Sequence, residues 1–80
     1  MDTLTTRLTD CFQTVFPDIP RTTIPLASQS SVEAWDSTAA ILLVNVIEEE
    51  FAIRVDLDRL EELDSFERIH RYVDDELRKR

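Results

Sequence analysis

The chain has 80 residues, no glycine, one cysteine, one histidine and one tryptophan. Each scarcity closes off a class of function. Without glycine there is no phosphate-cradling loop of the nucleotide-binding kind. Cys11, alone, cannot form a disulfide within the chain, which suits a reducing compartment and predicts a cytoplasmic protein. A Ser-His-Asp arrangement would have to use His70, which sits at the edge of an apolar helical stripe. No second histidine is there to share a metal. No apolar run approaches the ~20 residues that span a bilayer. The opening MDTLTTRLTD is neither basic nor continuously apolar, unlike a signal peptide.

Basic residues are also in the minority. Nine lysines and arginines face 17 acidic residues, for a formal charge of −8. Such a chain repels nucleic-acid phosphates and anionic lipid, and suits a partner with a basic surface. The carboxylates are plentiful, but nothing places two of them in a shared apolar pocket. The acidic residues at 56, 58, 61, 62 and 64 lack the spacing and the central glycine of a calcium loop. The expectation is one domain over 1–80 with no catalytic residues, no metal, and neither nucleic acid nor membrane as partner. A monomer is expected.

What is present is helical periodicity. Over residues 3–16, Leu4, Leu8, Cys11, Phe12 and Val15 recur at three- and four-residue steps, with Asp2 or Thr3 as cap and Pro17 just past the end. Cys11 on that stripe reads as a small packed side chain. Residues 17–35 hold all three prolines and the SQSS run. This long connection carries Ile19, Ile24, Leu26, Val32 and Trp35, too much apolar surface for a free linker, so it is expected to pack across the helices.

From Asp36 the chain reads DSTAAILLVNVIEEEF, which predicts a helix over 37–50 capped by Asp36. At 100° per residue, Ala40, Leu43, Val44, Ile47 and Phe51 face inward, and Thr38, Leu42, Asn45 and Glu49 face outward. Ala52 stands where a left-handed residue often ends a helix, and Ile53 and Val55 then return to the core. A short helix is expected over Asp56–Leu63 with Leu57, Leu60 and Leu63 inward. The last helix begins at Asp64 or Ser65, where Asp64 and Glu67 suggest a capping box. It buries Phe66, Ile69, Val73 and Leu77 and ends in Arg78, Lys79 and Arg80, whose charge suits the helix dipole. His70 reads as a packed or half-exposed side chain. The fold class is therefore all-α: a four-helix bundle with three longer helices, one short helix and a long first loop.

Ser37 opens the second helix. A hydroxyl there is held on a rigid element, and a phosphate group attached to it would meet the positive end of the dipole and the unpaired first-turn N–H groups. Three features surround the Asp36-Ser37 pair: the run Ile47-Glu48-Glu49-Glu50-Phe51-Ala52-Ile53, a Leu-Asp-Ser-Phe turn at 63–66, and Ile69-His70-Arg71-Tyr72-Val73.

With these motifs in an acidic chain of this length, the sequence resembles the acyl carrier protein family. The resemblance runs from the first helix to Leu77 and is strongest over 35–53 and 60–73. It implies a 4′-phosphopantetheine arm attached to Ser37 by a transferase, with Asp36 as the motif neighbour, and acyl groups held as thioesters on the arm's thiol. It implies acyl-loading and acyl-processing enzymes as partners, with basic or apolar docking surfaces, in fatty-acid, polyketide or a specialised biosynthesis. Thr38, Ile41, Leu42, Asn45, Glu48 and Glu49 form the expected partner surface. Thr38 replaces the family's usual Leu or Met, the first turns lack their usual acidic residues, and Ala52 replaces a frequent Gly. These departures fit a dedicated pathway whose partners use apolar contact near Leu42. An aminoacyl carrier, peptidyl or D-alanyl, and an unmodified helical interaction module are the alternatives.

Overall fold

The computed structural model describes residues 3–79. Three α-helices carry the fold: α1 (Thr3–Val15), α2 (Ser37–Phe51) and α3 (Phe66–Arg78). A short 3₁₀ helix, Leu57–Glu62, stands fourth, and one 3₁₀ turn, Ile24–Leu26, interrupts the first connection. No strand occurs among the described residues; a single antiparallel bridge joins Ser28 to Ser65. The all-α class expected from the periodicity is the one found. Among the described residues no helix is long and apolar enough to cross a membrane.

The helices form where their apolar spacing lets one face leave water. In α1, Leu8, Cys11 and Phe12 are buried, and Leu4 and Val15 pack at the margin. Thr9 is buried too, and its hydroxyl donates back to the Thr5 carbonyl at 2.7 Å, which removes the cost of an unpaired group. The N–H of Phe16 still reaches the Phe12 carbonyl at 2.7 Å before Pro17 ends the helix. Of the two expected caps for α1, Asp2 lies outside the described residues, as does Arg80 at the other end.

In α2 the predicted inward set, Ala40, Leu43, Val44, Ile47 and Phe51, is buried without exception. Ala52 follows in the left-handed conformation with φ 54° and ψ 45°. An alanine there carries roughly 1–2 kcal/mol of strain. The turn it makes sends Ile53 and Val55 back into the core. The α3 stripe of Phe66, Ile69 and Val73 is buried, joined by Tyr72, with Leu77 at the edge.

Four expectations are corrected. The first loop does pack, but Leu26 does not: it is 83% exposed. A 3₁₀ turn repeats every three residues, so burying Ile24 and Ala27 leaves Leu26 outside. The third helix is 3₁₀, and its leucines enter the core only at the far end. Leu63 is buried, Leu60 half-buried and Leu57 62% exposed. At the near end Val55 and Tyr72 are the buried side chains, and the Asp56 N–H donates to the Tyr72 hydroxyl at 3.0 Å. The α3 cap is Ser65, whose Oγ accepts the Arg68 N–H at 3.2 Å. Asp64 and Glu67 therefore form no capping box; each pairs with an arginine four residues on, Arg68 and Arg71, at 3.5 Å. The last correction, at Glu48, belongs to the candidate site.

The first loop is fastened to the start of α3. The Gln29 N–H donates to the Asp64 carbonyl at 2.7 Å, and the Phe66 N–H to the Ala27 carbonyl at 3.0 Å. Four aromatic rings close the core beside this strap. Phe12 lies 5.0 Å from Phe66, 5.5 Å from Trp35 and 6.3 Å from Phe16. The loop thus delivers Trp35 into the core and Asp36 to the start of α2.

Candidate functional site

Asp36 leaves the loop in extended geometry, φ −100° and ψ −173°, and its Oδ1 accepts the Ala39 N–H at 2.8 Å. Its carbonyl accepts the Ala40 N–H at 2.9 Å, the first bond of the helical ladder. The carboxylate thus serves as the N-cap expected from the sequence. It also places negative charge at the positive end of the dipole.

Ser37 occupies the first helical position and is exposed. Its hydroxyl makes no hydrogen bond to any described residue. The backbone on both sides is fixed: Trp35 is buried on the loop side and Ala40 on the helix side. A group attached to this oxygen would leave the protein surface from a rigid base. The α2 first turn has no acidic side chain, and the Asp36 carboxylate stands directly before Ser37.

The outward face of α2 runs away from Ser37. Thr38, Asn45 and Glu49 are exposed, Ile41 is 48% exposed and Leu42 52% exposed. Ile41 lies one turn beyond Ser37, and Leu42 one turn beyond Thr38. The pair forms a small apolar patch on an otherwise polar face. Glu48 differs from the expected surface residue. It is half-buried, and its Oε2 accepts the Val55 N–H at 2.8 Å. Its carboxylate ties down the turn after α2, so only part of its charge faces outward.

Two features of the site left little trace in the residue spacing. One is Trp35. It is 3% exposed, with its indole against Phe12 at 5.5 Å and Phe16 at 5.8 Å, yet its Nε1–H has no hydrogen-bond partner. Among the described residues it is the one buried side-chain polar atom left unpaired. Such a donor costs about 1–3 kcal/mol relative to a satisfied one. The apolar residues scattered over 17–35, Trp35 among them, foretell packing but say nothing about where the N–H points.

The other is Arg7 on α1. Its Nε lies 2.7 Å from the Glu50 carboxylate, its Nη2 donates to the Glu50 carbonyl, and its guanidinium sits 4.6 Å over the Phe51 ring. It holds the far end of the helix that Ser37 begins.

The remaining chemically active side chains stand apart from Ser37. Cys11 is buried, and burial, with Glu50 and Asp10 nearby, pushes its thiol up to about 11. The thiolate is the reactive form, so Cys11 is inert near neutral pH. His70 is half-buried, with Nε2 3.1 Å from the Thr5 hydroxyl, and links α3 to α1. A groove of about 470 Å³ between the 3₁₀ helix and α3 is lined by Arg59, Leu63, Arg68, Arg71, Tyr72 and Lys79, among others, and does not include Ser37. Its cations are exposed and paired with neighbouring carboxylates. Among the described residues no three His, Cys, Asp or Glu side chains are grouped to hold a metal.

The arrangement therefore offers one surface hydroxyl on a fixed helix start, one charged neighbour and one apolar patch. Comparison with protein-family models, with curated proteins and with solved structures gave no match, so the functional reading rests on this geometry and on the sequence.

Proposed function

We propose that this chain is a carrier that holds acyl groups as thioesters on a 4′-phosphopantetheine arm joined to Ser37 through a phosphodiester. The observation that carries the reading is the Ser37 hydroxyl: exposed, unengaged, and fixed at the first position of α2. An anion at that position is favoured by the helix dipole and by the first-turn N–H groups that Asp36 does not use. When attached, the arm supplies a thiol at the end of a flexible tether, and the chemistry on cargo belongs to it and to the partner enzymes.

This chain's own residues position and present. Asp36 caps the helix and so fixes the direction in which Ser37 Oγ leaves the surface. Ile41 and Leu42 offer apolar contact within two turns of the attachment point, and Glu49 adds charge for a basic socket. A docked enzyme would then meet the tethered cargo at high effective concentration without tight binding to the protein itself. The partners on this reading are a phosphopantetheinyl transferase and acyl-loading and acyl-processing enzymes, in the cytoplasm.

Intact mass after incubation with a carrier transferase and coenzyme A tests the proposal. The expected result is a gain of one phosphopantetheine, abolished by Ser37→Ala. No gain with several transferases rejects the carrier reading in favour of an unmodified interaction module. Offering the loaded thiol to acyl and aminoacyl ligases separates an acyl carrier from a peptidyl or D-alanyl one.

A further inference from the structure

We infer that the Trp35 indole N–H is a hydrogen-bond donor for a keto oxygen of the tethered cargo, so that the site favours oxygenated acyl groups over saturated ones. This rests on the carrier reading of Ser37. Three observations bring it about. The donor is buried and unpaired, unlike every other buried side-chain polar atom among the described residues. It belongs to the residue two positions before Ser37, on the segment that leads directly into the α2 cap. It sits among the rings of Phe12 and Phe16, where water is scarce and a hydrogen bond is electrostatically stronger than at the surface.

The aromatic surround explains the direction of selectivity. A saturated chain reaching these rings buries apolar surface but leaves the N–H as it was. A chain with an acceptor oxygen gains the same contact and satisfies the donor. The gain is that of removing an unsatisfied buried group, equivalent to about 5- to 150-fold in an equilibrium. The first loop holds Trp35 through its backbone N–H to the Val32 carbonyl at 3.0 Å and is joined to α3 by the bonds at Ala27 and Gln29, so the donor is fixed next to the segment that carries Ser37. The acceptor is a keto group of the cargo; an amide of the arm, which every loaded form carries, would give no preference among acyl groups.

The chain's single tryptophan gives one indole N–H resonance. The full-length ¹⁵N-labelled protein is loaded by a promiscuous transferase with coenzyme A, butyryl-coenzyme A or acetoacetyl-coenzyme A, and mass spectrometry checks each form. A downfield shift of the indole proton already present in the arm-only form places the acceptor on the arm and overturns the inference, because the donor is then satisfied whatever the cargo. A shift confined to the acetoacetyl form assigns it to the cargo. An indole position common to unloaded, arm-only, butyryl and acetoacetyl forms overturns the inference while leaving the carrier reading intact. So does a shift that first appears on loading butyryl and is equal in the acetoacetyl form, which reports packing alone. Absence of loading by mass overturns both readings. Replacing Trp35 with benzothienylalanine, where sulfur takes the place of the N–H, supplies the second arm. The thermal midpoint of the acetoacetyl form should exceed that of the butyryl form in the natural protein and equal it in the analogue. Equal midpoints in the natural protein count against the inference.

Discussion

Arg7 on α1 grips Glu50 at the end of α2 by both its side chain and its backbone carbonyl. The α2 helix has no basic residue in its last turn, and Glu48, Glu49 and Glu50 put charge of the wrong sign at the negative end of the dipole. Arg7 supplies the missing cation from another helix and covers the Phe51 ring at the same time. Arg7→Ala is expected to cost about 1–2 kcal/mol, after discounting for the partial exposure of both partners. For a domain of this size that lowers the thermal midpoint by about 4–8 °C per kcal/mol. Thermal melts at low and high salt check it. Arg7→Lys should recover only part, because an ammonium cannot form the same fork or stack as well.

Ala52 takes a backbone conformation that glycine adopts without a Cβ clash. Ala52→Gly should relieve roughly 1–2 kcal/mol of strain and lose part of that to the greater freedom of the unfolded chain. A net stabilisation of up to about 1 kcal/mol in urea denaturation is the expected outcome. A loss of stability would mean that the Ala52 methyl makes contacts worth more than the strain.

Cys11 makes stability depend on alkaline pH. Its folded pKa, about 11, lies above the ordinary 9.0. The folded state therefore holds the thiol proton more tightly than the unfolded chain. The corresponding stability is complete below pH ~9 and is lost as pH rises through ~11, an effect of about 3 kcal/mol. Denaturation at pH 8, 10 and 11 should show a steeper decline for the natural protein than for Cys11→Ala, whose stability is lower at pH 8 and approaches that of the natural protein as pH rises.

The Asp36 carboxylate caps α2 through an oxygen, a role that an amide oxygen also fills. Asp36→Asn should keep stability within about 0.5 kcal/mol, whereas Asp36→Ala should lose about 1 kcal/mol. Under the carrier reading, both should slow the loading of Ser37. Unimpaired loading of the Asn variant would confine Asp36 to capping.

Leu42 is half-exposed one turn along from Thr38, so Leu42→Glu should leave the fold and the melting curve nearly unchanged. Its expected effect is on transfer to a partner enzyme, read as a rise in KM with the loaded protein as substrate. Unaltered kinetics would remove Leu42 from the docking surface.

The long helices were legible because their signals are local. The α2 stripe, its Asp36 cap and its left-handed end at Ala52 all follow from residues within a few positions of one another. The parts that were not legible depend on distant partners. Nothing near Asp64 indicates that its carbonyl is needed by Gln29, which fixes the chain there and leaves Ser65 to cap α3. Leu57 has the right spacing to be buried, but the chain is tied at Asp56 to the distant Tyr72, and Leu57 is left 62% exposed. Leu26 is apolar in an apolar loop, and only the three-residue period of its turn puts it outside. At the site, Ser37 and Asp36 stand out by position in a helix, while the Arg7 grip and the unpaired Trp35 donor arise only when α1 meets the loop and α2.

The joining of the first loop to the threshold of α3 limits how small a working version of this protein can be made. A fragment ending at Ala52 would keep the Asp-Ser pair and the whole helix behind it. It would lack the backbone to which Ala27 and Gln29 are moored, and Phe66, which packs on the Phe12 ring that Trp35 meets. The serine would then sit at the mouth of an unmoored segment, so the site belongs to the folded bundle rather than to the stretch that contains its motif.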